Sequence, residues 1–385
     1  MGRPSLSEEV LKEAVEAYSK YGTYNKAAVA LGIQQVTLQA RVRKAIERGY
    51  SPDHDMDNIT AEGFSVTGTS TLYDKTTGEA KIQWVKTNRD KEQQEVAILA
   101  AVEAMAKEIP RVKPLPAPVT TYSELCNEYI VTDYHYGMLA WHKEGGQDWD
   151  TKIAGDLLWR GFQRMVDQSP DAKACVISQL GDFFHSDSME AVTPHSKNIL
   201  DQDGRISKIV SEATNIFRKL VDYALQKHDT VHVIMAEGNH DPYSSIWFRI
   251  MFSALYENEP RLTVNDSELP YYVYQHGDVM LAYHHGHKKQ LAGLPIFFAA
   301  QHPKMWGETT YRYCATGHKH HSEEKEFSGM RVTQFQTFAA RDAYAARGGW
   351  LAERSMTSVT YHKKFGKAAT NIFRPEMFDK KTGDE

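Results

Sequence analysis

The sequence predicts a layered α/β protein (α+β in the mixed pairing of its strands) with a small all-helical N-terminal domain. Three observations predict it. Strand-length apolar runs recur after residue 120, each ending in a polar loop that bears His or Asp. Long amphipathic helical patterns separate the first three runs. Residues 1–50 carry helical patterns and no strand.

Residues 5–50 read as three helices. Ser5 or Ser7 is placed to cap the first, which reaches Tyr21 and has Glu8 and Glu9 in its opening turn. A short helix over 25–31 stops at Gly32, and a longer one over 34–48 stops at Gly49. Short helix, glycine turn, longer helix is the helix-turn-helix pattern. Ala27, Ala28, Leu31, Ile33, Leu38 and Val42 are spaced to pack these helices together, leaving Gln34, Gln35, Thr37, Gln39, Arg41 and Arg43 to face outward. A polar linker follows over 51–63. Residues 64–87 alternate around Asp74-Lys75-Thr76-Thr77-Gly78, as a β-hairpin does. Residues 88–109 have a helical pattern, and Pro110, Pro114, Pro116 and Pro118 make a stiff connector. The expected domains are therefore 1–50, a connecting region 51–119, and 120–385.

In the last domain, strands are expected at 128–132, 174–180, 231–236, 279–283 and 313–316, with helices at 150–168 and 205–227. Ligands of such folds bind beyond the carboxyl ends of the strands, which is where the polar strings lie. The segment 186–198, with His195, is placed to wall that region. Residues 341–385 read as a packed C-terminal strand pair with a solvated rim. Their aromatic and basic residues, among them Tyr344, Arg347, Trp350 and Arg354, are the alternative: an extension of a substrate face.

Composition narrows the function. Apolar residues make up 41% of the chain, yet no run of 18 exists to span a membrane, and the N-terminus lacks the apolar stretch of a signal peptide. Cys126, Cys175 and Cys314 are few and far apart, which suits a reducing cytoplasm. The net charge is −5 overall but +3 over residues 1–50. A basic head on an acidic body points to nucleic-acid contact at the head, although a solvated helical face has the same charge.

Five polar strings follow the five strands in order. They are Asp133-Tyr134-His135, Gly181-Asp182-Phe183-Phe184-His185, Gly238-Asn239-His240-Asp241, His284-His285-Gly286-His287 and Gly317-His318-Lys319-His320. Each alone is a common loop sequence. Together they collect carboxylate, amide and imidazole donors, which suit Mn, Fe, Zn or Ni better than Mg. Strand alternation lets only one of His284 and His285 face the site. Asp241 is either a support residue or the N-cap of a helix beginning at Pro242.

This set resembles the calcineurin-like metallophosphoesterase superfamily over roughly residues 125–340. The resemblance implies a metallophosphoesterase β-sandwich flanked by helices, holding two divalent metals about 3.5–4 Å apart. It implies Asp133, His135 and His320 around one metal, Asn239, His285 and His318 around the other, and Asp182 between them. The family's His-Gly pattern favours His285 over His284. The implied reaction is attack on phosphorus by a hydroxide shared between the metals, with manganese foremost among the candidate ions. His240 is implied as acid to the leaving oxygen or as a phosphate contact.

Protein phosphatases of the superfamily carry Gly-Asp-x-x-Asp-Arg-Gly, whereas here Gly181-Asp182-Phe183-Phe184-His185 resembles the SbcD-type nucleases. By that match His185 assists His240. The N-terminal pattern resembles small DNA-binding modules, and the whole arrangement is similar to phosphoesterases of bacteriophages. The expected partner is DNA, with Arg41, Arg43 and Lys44 on phosphates and Gln34, Gln35 and Thr37 on base edges. A phosphodiesterase acting on DNA is the first expectation. A phosphomonoesterase acting on nucleotides or DNA ends, and a DNA-binding regulator with a vestigial metal site, are the alternatives.

Overall fold

The computed structural model describes residues 6–48, 50, 64–74, 77, 80–89, 111–188 and 191–378. The chain divides into two compact units, Met1–Ala101 and Val102–Glu385.

The first unit opens with α1 (Glu8–Tyr21), α2 (Tyr24–Ala30) and α3 (Gln35–Glu47). Ser7 occupies the N-cap position of α1 but its side chain makes no capping bond; Gly22 ends the helix at φ 68°. Thr23 caps α2 by accepting the Lys26 N–H. Ala14, Ala17, Ala27, Ala28, Leu38 and Val42 form the core of the three helices, with Leu31 and Ile33 packed against it. β1 (Phe64–Tyr73) and β2 (Ala80–Arg89) form the antiparallel hairpin. Asn88 and Arg89, expected to begin a helix, pair with Ser65 and Phe64 instead, so the ladder outruns the helical pattern. The rest of that expected helix, the linker 51–63, and Lys75, Thr76 and Gly78 of the turn lie outside the described residues.

The second unit begins with β3 (Tyr122–Val131), β4 (Ala172–Gln179), β5 (Thr230–Met235) and β6 (Leu262–Val264), all parallel neighbours. A second sheet follows: β7 (Tyr272–His276), β8 (Val279–Tyr283), β9 (Tyr311–Thr316), β10 (Glu323–Phe327) and β11 (Met330–Gln334). Its order is β10-β11-β9-β8-β7. The chain then returns to the first sheet, adding β12 (Met356–His362) and β13 (Gly366–Phe373) antiparallel beside β3. These last two are the C-terminal strand pair.

Alternation along the strands builds the layers. On β3, Tyr129 and Val131 face helices while Ile130 faces the second sheet, packing with Val176, Leu281 and Tyr283. The outer face of the first sheet is covered by α5 (Thr151–Gln168), α6 (Ile206–Lys227) and α7 (Pro242–Leu255), whose Phe162, Phe217, Phe248 and Phe252 are buried; the short α4 (His142–Gly145) precedes them. The outer face of the second sheet packs Met280 and Val332 against α8 (Leu294–Gln301), with α9 (Pro303–Glu308) beside it. The small α10 (Ala343–Arg347) lies before β12. The result is a two-sheet sandwich between helical layers. No described helix is long and apolar enough to cross a membrane.

The expected helices 150–168 and 205–227 correspond to α5 and α6. The sequence marked only the start of α7, at Pro242, and did not reveal the short strands β6, β7, β10 and β11. The proline-rich segment is docked: Val112 N–H donates to Leu255 O, and Leu115 N–H to Glu259.

Candidate metal centre

All five polar strings meet at the carboxyl ends of β3, β4, β5, β8 and β9. Three groups of side chains there have ligand atoms within 4.8 Å of one another: Asp133, His135 and His320; Asp182, His285 and His318; and His135, His185 and His240. His320 Nε2 lies 3.3 Å from Asp133 Oδ1 and 3.2 Å from His135 Nε2. His285 Nε2 joins the groups, at 3.2 Å from Asp182 Oδ2, 4.0 Å from Asp133 Oδ1 and 3.1 Å from Asn239 Oδ1.

The loops hold this geometry through unusual backbone. Asp133, His135, Asp182, His318 and His320 all have φ between 47° and 77°. Such conformations cost on the order of 1–3 kcal/mol each and persist only where surroundings enforce them. The enforcement is visible. His318 N–H donates to both Asp133 carboxylate oxygens, at 3.0 and 2.9 Å, and Thr132 Oγ1 donates to Oδ2 at 2.6 Å. Thr337 Oγ1 donates to Asp133 O. Gly238 and Gly317 let these loops close: a Cβ on the first would overlap Asp182, and on the second Thr132 and Asp133.

His285 Nδ1 donates to Leu180 O at 2.9 Å, which leaves Nε2 as the end facing Asp182. His284 points the other way, donating Nδ1 to Pro270 O and stacking on Tyr271. The structure thus selects His285, and places the ring of His287 5.2 Å from that of His285.

His240 Nδ1 donates to His185 O at 2.9 Å, leaving Nε2 free of that bond, and its N–H donates to Asp182 Oδ1 at 2.7 Å. His185 is buried, with Nδ1 3.4 Å from His135 Nδ1 and its ring stacked 5.7 Å from that of His240, so it lies beside both a candidate ligand and His240. Asp241 stands at the N-cap position of α7 without capping it. Its carboxylate instead accepts the N–H groups of Gly238, Asp182, Phe183 and Phe184, which makes it the anchor of the second string rather than a partner of a histidine. The cap of α7 is Asp187, which accepts from Tyr243 and Ser244 N–H. His195 is exposed on its segment. Thr337 and Asp187 escaped sequence reasoning because their partners are remote in the chain; Thr132 escaped it although its partner is the adjacent Asp133.

The electrostatics call for positive charge. Burial would raise the Asp182 carboxyl, but His285, His240 and His135 hold it well below the ordinary range. Burial opposes charge on His285, yet Asp182 and Asp133 lift it to about 10. Burial, then the His240 and His320 rings, push His135 well down. The paired carboxylates thus favour positive charge between them, and burial holds the neighbouring His135 and His318 below the ordinary imidazole range. A carboxylate, imidazole and amide donor set of this kind fits divalent cations.

The N-terminal candidates lie on or just before α3. Gln34, Gln35, Thr37 and Arg43 are exposed, whereas Arg41 and Lys44 are half-buried. Arg43 pairs with Glu47 at 3.9 Å.

No family model and no curated protein matches the sequence. Among solved structures, a predicted phosphoesterase from Streptococcus pneumoniae TIGR4 is 11% identical, with a TM-score of 0.28, covering 66% of this chain and 99% of that one. An archaeal phosphodiesterase is 11% identical at a TM-score of 0.33, covering 64% and 99%. Vps29 complexed with zinc, from Entamoeba histolytica, is 12% identical at 0.27, covering 65% and 99%. At these identities and scores the likenesses assign neither family nor activity.

Proposed function

We propose that this chain is a two-metal phosphodiesterase of the calcineurin-like kind that hydrolyses nucleic-acid backbones. One observation carries the reading: seven donors from five separate loops converge beside His240. Asp133, His135 and His320 would hold one divalent ion, and Asn239, His285 and His318 the other, with Asp182 serving both. Manganese is the first candidate, and iron, zinc or nickel suit the same donors. The ions would supply Lewis acidity toward the phosphoryl oxygens and acidify a water.

The chain's own residues do the rest. Asp241 fixes the Asp182 loop. Leu180 O fixes the His285 tautomer, so its Nε2 is the donor toward the site. His185 O fixes His240 through Nδ1, which directs Nε2 toward the leaving group. Hydrolysis forms a bond from water oxygen to phosphorus, the water's proton passing to solvent, and breaks the bond to the leaving oxygen, which takes the Nε2 proton of a His240 protonated on both nitrogens. His185, through its contact with His135, is a positioning residue in this scheme. The exposed face of α3 supports DNA as the partner, and nothing in the centre requires a membrane.

The test is a metal-resolved panel over a phosphomonoester, a small phosphodiester, single-stranded DNA and duplex DNA. Chelated protein should be inactive and Mn²⁺ should restore diester hydrolysis. Asp182→Asn should lower that rate at least 10³-fold and abolish the rise in melting temperature that Mn²⁺ gives the parent. Rapid hydrolysis of the monoester with none of either diester would replace this reading with a phosphomonoesterase.

A further inference from the structure

Two stretches of chain leave the centre side by side. Past His135, whose carbonyl accepts from Met138 N–H, come Leu139 and Trp141 and then α4. Past Thr337, which holds Asp133, come Arg341, Asp342 and then α10, which Asp342 caps. The two short helices are locked together. Arg341 donates to Gly145 O at 3.3 and 3.2 Å, and Arg347 pairs with Glu144 at 2.9 Å.

This ledge displays large rings to solvent: Trp141 is 56% exposed, Tyr344 63% and Trp350 56%. Tyr344 and Trp350 sit edge to face with centroids 5.1 Å apart, and Lys143 Nζ lies 5.1 Å from the Trp141 ring. Three such rings on two linked helices whose chains lead out of the candidate metal centre are no part of the core, and clusters of that kind mark binding surfaces.

We propose that this ledge is a stacking platform for unpaired nucleotides of the substrate strand, holding bases on Trp141, Tyr344 and Trp350 while the backbone enters the metal centre. The proposal rests on the phosphodiesterase reading and names the substrate form that reading leaves open. Aromatic faces accept any base, provided the base is not already covered by a paired helix. Charge on the ledge is nearly balanced, with Lys143, Arg341 and Arg347 set against Glu144 and Asp342. Duplex DNA and anionic membranes, which bind chiefly through their charge, are therefore poorer fits than exposed bases.

The experiment uses the full-length protein and its Trp141→Ala, Tyr344→Ala and Trp350→Ala variants. Intrinsic tryptophan fluorescence is followed in chelator during titration with a 20-nucleotide oligo-dT, an oligo-U and a DNA duplex. Hydrolysis with Mn²⁺ is measured in parallel on the oligonucleotides and on methyl p-nitrophenyl phosphate, a diester without a base. Each variant should bind single strands roughly tenfold more weakly and lose a similar factor in kcat/KM on them. Duplex affinity and methyl p-nitrophenyl phosphate hydrolysis should not change. The oligo-dT and oligo-U arms tell DNA from RNA.

Variants that bind and cut single strands as the parent does would overturn the platform while leaving the phosphodiesterase reading intact. So would a parent that binds no single strand, or variants that lose duplex binding equally. If the parent cleaves no diester, the catalytic reading fails, and the fluorescence titrations alone decide the platform.

Discussion

Asp241 Oδ1 takes the N–H groups of Asp182 and Gly238, while its Oδ2 takes those of Phe183 and Phe184. Four buried donors rest on one carboxylate, and that is what fixes Asp182 at a positive φ. Asp241→Ala strands those donors, each costing about 1–3 kcal/mol when left unmade in a buried site. The expected loss is about 4 kcal/mol or more by urea denaturation, with Mn²⁺ affinity by calorimetry falling about tenfold or more. A variant as stable as the parent that binds Mn²⁺ equally well would show that the anchor is dispensable. Gly238→Ala tests the same loop from the other side. Its new Cβ overlaps the Asp182 carboxylate and amide, so metal binding should be lost while the far-ultraviolet spectrum is kept.

Among the elements, β3 carries the first metal string at its end and a buried acid within it. Glu128 lies between the sheets, accepting from Tyr361 of β12 at 2.9 Å and from Ser178 of β4 at 3.1 Å. Burial pushes its carboxyl up to about 7, with the Tyr361 and Ser178 hydrogen bonds pulling back. An acid raised by folding keeps its proton in the native state after the unfolded chain has lost it. Its contribution is therefore full below about 4.5, is lost as pH rises, and levels off above about 7. The fall amounts to about 3 kcal/mol. Glu128→Gln, neutral throughout, should flatten that part of the stability curve. Urea midpoints at pH 4.5, 6 and 7.5 check this, and parallel curves for parent and variant would refute it.

At the scale of the molecule, the proposed function divides two tasks between the two units. The three-helix unit exposes Gln34, Gln35, Thr37 and Arg43, and the sandwich holds the metal candidates. Arg41→Ala with Arg43→Ala should weaken duplex binding and reduce its salt slope by about 1–2, since each phosphate contact contributes about 0.9. Hydrolysis of a small diester should stay within twofold of the parent. Arg41 is half-buried, so Arg43→Ala alone is the control for stability. Loss of small-diester hydrolysis in the single variant would show that the first unit takes part in catalysis.

Much of the candidate centre was legible because its chemistry is local. An apolar strand followed by a polar string recurs five times, and that order placed Asp133, His135, Asp182, Asn239, His318 and His320 at strand ends. Strand alternation said that one of His284 and His285 faces inward but not which. That choice fell to contacts with Leu180 and Pro270, residues far off in the chain. Asp241 reads equally as a helix cap until the Asp182 loop is brought against it. Of α7 the sequence marked only the start at Pro242, and the short strands β6, β7, β10 and β11 were missed because a length of three to five residues leaves no period to read. The sequence by itself determined the donors and the strand-end loops that carry them, since side-chain type and alternation are short-range properties. Only the tertiary structure decided which nitrogen faces which carboxylate, which acid anchors rather than caps, and that Trp141 and Trp350 share one ledge. Those follow from packing between segments as much as two hundred residues apart, and no local pattern encodes them.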